Sequence, residues 1–135
     1  AHAHDDGRYD IVIRGLHRVR MLVELPATHG FRQIAAERLE EQPVAPHDPR
    51  HERLRALLGQ LAMLAPQAAR PVGIMLEQST GPAMLADLVA AHVMSDADAC
   101  QSMLETLDVG VRLDRACDRI GRLLLEVSAG PVSVH

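Results

Sequence analysis

The hydrophobic pattern of this chain changes period once, from two to 3.6, across the polar stretch Glu40–Arg50 (EEQPVAPHDPR). Pro43, Pro46 and Pro49 punctuate that stretch, so neither a helix nor a central strand continues through it. Two regimes are therefore expected, with a β-subdomain over 1–40, a linker over 41–50 and a helical bundle over 51–135. In the first regime Asp6-Gly7 reads as a tight turn, and Tyr9, Ile11 and Ile13 alternate with Asp10, Val12 and Arg14 as a strand. Gly15 interrupts that pattern as a bulge. Val19, Met21, Val23 and Leu25 then alternate with charged neighbours up to Pro26, and Phe31–Leu39 makes a weaker third strand after the Thr28-His29-Gly30 turn.

Beyond the linker, Asp48 is placed to cap a helix that starts at Pro49, where a missing N–H does no harm. Leu54, Leu57, Leu58, Leu61 and Leu64 form its apolar stripe, and Pro66 stops or kinks it. A short apolar turn is expected at Ile74–Leu76, after Pro71. Ser79-Thr80-Gly81-Pro82 starts a further helix with Leu85, Leu88, Val89 and His92 on one face. Ser95 with Asp98 reads as a capping box for a helix carrying Cys100, Met103, Leu104 and Leu107. Asp108 caps the last and longest helix, whose stripe is Leu113, Ala116, Cys117, Ile120, Leu123, Leu124 and Val127. The fold class read from these periods is α+β.

Composition removes several chemistries. All 14 basic residues are arginines, so no lysine is present to serve a phosphate-binding loop, a Ser-Lys dyad, a Schiff base or a kinase site. A net charge of −4 without a basic block, and only Tyr9 and Phe31 as aromatic rings, argue against nucleic-acid partners. No apolar run is long enough to span a membrane and no signal peptide opens the chain, so a cytoplasmic location is expected.

The remaining candidates for chemistry read as ordinary structure. His47 and His51 have the spacing of helical zinc ligands, but Pro49 lies between them and HERLR lacks the second histidine of HExxH, so a solvated linker is expected and no metal site. His2, His4, Asp5 and Asp6 fall in a frayed terminus. His92 shares a face with Leu85, Leu88 and Val89 and is expected as a hydrogen-bonded core histidine. Cys100 and Cys117, equidistant from the Leu107-Asp108 corner, are expected to face each other as packed thiols, without a disulfide. No catalytic residue and no cofactor is expected.

Two blocks carry a family resemblance. MLETLDVGVRLDRACDRIGRLLLEV (103–127) resembles the end of the N-terminal domain of ATP-dependent Lon proteases, through Leu104, Glu105, Thr106, Leu107, Asp108, Arg112 and Leu113. DGRYDIVIRGLHRVRMLVEL resembles that family's strand pattern through Gly15, Leu16, Arg18, Val19 and Arg20, and Gly81, Leu85, Ala86, Asp87 and Leu88 match its glycine and helix start. The resemblance implies a PUA-like β-subdomain followed by a helical bundle with a long C-terminal helix. It also implies a non-catalytic role: binding unfolded or damaged protein substrates and helping assemble a hexamer whose AAA+ and peptidase domains lie elsewhere. Because the family's sheet opens with strands ahead of those found here, and no initiating methionine is present, a partial sheet is expected, trimmed or completed by another chain.

Methionine suits a surface that accommodates varied partners, because its side chain is flexible and polarisable. Met63, Met75, Met84 and Met94 are the substrate-contact candidates, with Met75 and Met84 favoured because they flank the Ser79–Pro82 connection; filling gaps in the bundle is their plainer role. Two other functions stay open at this level. One is a stand-alone LON-domain adaptor or regulator, and the other an enzyme using His92 with a cysteine.

Overall fold

The computed structural model describes residues 2–26 and 28–130, and the chain divides into two compact units, 1–40 and 41–135. In the first unit, β1 (His2–Ala3) pairs antiparallel with β2 (Tyr9–Asp10). The Asp6-Gly7 turn joins them as the sequence indicates. Gly7 sits at φ +82°, where a side chain would strain the backbone, and Asp6 Oδ1 accepts from the Arg8 N–H at 3.1 Å. The start of the chain is therefore a hairpin and not a fray, with His4 Nε2 2.8 Å from Asp10 Oδ2; the His2 side chain lies outside the described residues.

β3 (Val19–Glu24) and β4 (Ile34–Arg38) form a second antiparallel pair. The bulge falls between Met21 and Val23, at Leu22, and not at Gly15. Ile11–Ile13 extends no strand. Alternation signals one buried face, but no described side chain in 3–40 is buried, and β3 is exposed along its whole length. Charge stabilises the hairpin instead: Arg32 donates to both oxygens of Glu24 at 2.7 and 2.8 Å, and Arg20 reaches Glu37 at 3.3 Å. The guanidinium of Arg32 holds the Glu24 carboxyl below its usual range.

The second unit contains α1 (Pro49–Leu64), α2 (Pro66–Gln78), α3 (Pro82–Val93), α4 (Ala97–Glu105) and α5 (Val109–Ala129). Asp48 caps α1 from the N-cap position and Asp108 caps α5, accepting from Val111 N at 3.0 Å. The core gathers Leu54, Leu58 and Leu61 of α1, Val72 and Met75 of α2, Leu85 and Val89 of α3, and Leu113, Ala116 and Ile120 of α5. Leu64 and Val127, expected on the apolar stripes, end up exposed where their helices run past the neighbours that cover the other turns.

Three local expectations are corrected. Pro71 lies inside α2, so Ile74–Leu76 is helix and not a turn; burying Val72 and Met75 offsets the hydrogen bond that the proline removes. The cap of α4 is Asp96, which accepts from Ala99 N at 2.9 Å, one residue after the expected Ser95. Of the apolar positions expected on α4, only Met103 is buried, and Leu104 is exposed.

Candidate functional site

The four methionine candidates do not converge on one surface. Met75 is 2% exposed and belongs to the core, so its expected place on the surface is corrected: α2 runs through Pro71 and turns this side chain inward. Met84 is half-buried beside Thr80, whose hydroxyl donates to its sulfur at 3.5 Å. Met63 stands free at 84% exposure. Met94 lines an open groove of about 510 Å³ beside α4 and α5, together with Met103. Arg115 ties the groove's walls by donating to Ser102 Oγ and Thr106 Oγ1, both at 2.9 Å, and Arg119 donates to the Val93 carbonyl.

His92 is exposed and not in the core. Its ring nitrogen Nδ1 donates to the Leu88 carbonyl one turn back at 2.9 Å, which fixes the ring on the surface of its own helix. Cys100 and Cys117 are both free and do not meet: Cys100 Sγ points to the Met94 carbonyl, Cys117 Sγ to the Arg50 carbonyl on α1. Burial pushes the Cys117 thiol up, away from nucleophilic reactivity. His47 is exposed while His51 is buried against the Pro46 carbonyl, so the two do not form a ligand pair, and no metal-binding cluster of three or more ligands occurs among the described residues.

Two features escaped sequence reasoning. The first is the density of exposed apolar side chains in the β unit. Twelve of the nineteen exposed large apolar residues described fall within Tyr9–Ile34, including Val12 at 96% and Ile13 at 82%. Its signal in the sequence is the run of strand-forming residues itself.

The second is Arg112, fully buried in α5. Nη1 donates to Asp87 Oδ1 on α3 at 2.5 Å, and Nη2 donates to Glu41 Oε1 at the start of the 41–50 segment. That segment, expected as a linker, is fastened to the helical unit. Gln42 N donates to the Leu107 carbonyl at 2.9 Å, and Val109 N donates back to the Gln42 carbonyl at 3.0 Å. Next to it, Asp48 accepts from Arg50 at 2.8 Å, which holds the Asp48 carboxyl down at about 2. The same guanidinium lies over Gly110, where a Cβ would come within 2.2 Å of Nη1.

Among the described residues the arrangement holds charge pairs and exposed apolar side chains. A family model described as the ATP-dependent protease La (LON) substrate-binding domain matches residues 1–122. The chain belongs to this family. It is 33% identical over 121 residues to the Lon protease of Trichlorobacter lovleyi and 32% identical over 124 residues to that of Paraburkholderia phytofirmans. A further Lon protease, from Anaeromyxobacter dehalogenans, is 29% identical over 121 residues. These alignments cover 87–88% of this chain but only 14–15% of the relatives' length, and they correspond to the N-terminal domain. The match supports a substrate-binding role, and no helix among the described residues is long and apolar enough to cross a membrane.

Proposed function

We propose that this chain is the substrate-capturing part of an ATP-dependent Lon-type protease, acting in the cytoplasm on unfolded or damaged proteins. The match of residues 1–122 to the LON substrate-binding domain carries the reading. Proteolysis and ATP hydrolysis belong to AAA+ and peptidase domains elsewhere in the full protein, which assembles as a hexamer. A chain without lysine supplies neither a Walker lysine nor a Ser-Lys dyad.

Capture rests on differential affinity for apolar segments, which folded proteins hide and damaged ones display. The exposed side chains of Tyr9–Ile34 present such a surface, and Met21 lies among them. The test is binding of the 135-residue chain to a labelled unfolded protein, reduced and carboxymethylated, against the same protein folded. Binding of the unfolded form alone, with no casein cleavage and no ATP hydrolysis, is the expected result. Equal binding of both forms, or turnover by the chain alone, contradicts the proposal.

A further inference from the structure

We propose that residues 41–47 form a releasable strap, latched over the N-terminal turn of α5 by Glu41 and able to open while the helical core stays folded. Glu41 opens the second unit, so the strap is the first segment of that unit. The latch has few parts. Glu41 reaches Arg112, Gln42 makes a parallel bridge at Asp108, Val44 packs on the core, and the Pro46 carbonyl lies 3.4 Å from Nδ1 of the buried His51. Pro43 and Pro46 have no N–H to give, and Gln42, Pro43, Ala45, Pro46 and His47 are exposed. Segments with so few buried contacts occupy the low end of local stability.

Opening frees Arg112 Nη2 and His51 Nδ1, and the water that enters as the strap lifts can serve them. Arg112 keeps its Asp87 partner, so no lone charge is stranded in the core. The freed Val109 N–H belongs to the first turn of α5, where water serves as partner. Asp48 gives up its backbone bond to the Ala45 carbonyl, at 3.0 Å, but stays in place as the cap of α1 because its carboxylate bonds are to Arg50. Open, its seven residues reach roughly 24 Å when extended.

Amide hydrogen exchange on the whole chain tests the strap, because Gln42 N–H and Val109 N–H are the two backbone donors that join it to the Leu107–Val109 turn. In the wild type both amides should exchange faster than those of Leu113–Ile120. Glu41→Ala should speed Gln42 and Val109 at least tenfold and leave Leu113–Ile120 unchanged. Glu41→Gln, which keeps an acceptor of the same shape, should fall between the two. Acceleration of all these amides together would show that Glu41 supports the global fold and would overturn the proposal, as would no acceleration at Gln42 and Val109.

Discussion

Replacing Arg112 by methionine keeps most of the side-chain volume and removes the guanidinium that both Glu41 and Asp87 accept from. Arg112 is fully buried, whereas its partners are 35% and 41% exposed. Removing one member of a buried ion pair costs about 3–5 kcal/mol, and partners that water can reach put this case near the low end, at about 3 kcal/mol. For a unit of this size that is a fall in Tm of roughly 12–24 °C. Urea unfolding followed by helical circular dichroism reads the second unit alone, since all five helices lie within it. The triple variant Arg112→Met, Glu41→Gln, Asp87→Asn should recover more than half of the loss, because no uncompensated charge remains. A single Arg112→Met variant within 0.5 kcal/mol of wild type, or a triple variant no better than the single, would refute the reasoning.

Other perturbations separate the remaining parts. Asp48 is an acid whose folded value lies near 2, below its unfolded one, so its support for α1 is complete above about pH 4 and lost as pH falls toward 2; Asp48→Asn should flatten that part of the acid-unfolding profile, and superimposable profiles would contradict the assignment. Pro71→Ala restores a donor inside α2 and should raise stability by about 1–3 kcal/mol, read as a higher urea midpoint at unchanged slope. Cys117, 1% exposed with its thiol pushed up by burial, should react with an aromatic disulfide reagent only on unfolding, after Cys100; reaction of Cys117 first would show that α5 does not pack as described.

What the sequence disclosed was local. The Asp48-Pro49 start of α1 and the stripe from Leu113 to Ile120 are decided within a few turns of chain, and the structure has both. Pro71 misled because the cost of a proline is local, while the burial of Val72 and Met75 that offsets it comes from packing against α1 and α3, which the proline's own neighbours do not report. Arg112 was visible as a match to the Lon family block, but its role was not: its partners lie 25 and 71 residues away. The β unit shows the opposite failure. Its alternation was real, yet Val19, Met21 and Val23 remain more than half exposed, because a two-stranded pair has no second layer of its own to bury them. The methionines were chosen for their chemistry, and chemistry does not report which way a helix faces.

Met21 and Leu125 offer a matched pair for the central claim, since each is 72% exposed, one in the β unit and the other on α5. A photoreactive residue placed at either position in the whole chain, mixed with a reduced and carboxymethylated protein, reports where capture occurs with accessibility held equal. Crosslinks from position 21, and none above background from position 125, are the result the account predicts. Equal crosslinking from both, or capture from position 125 alone, would contradict it.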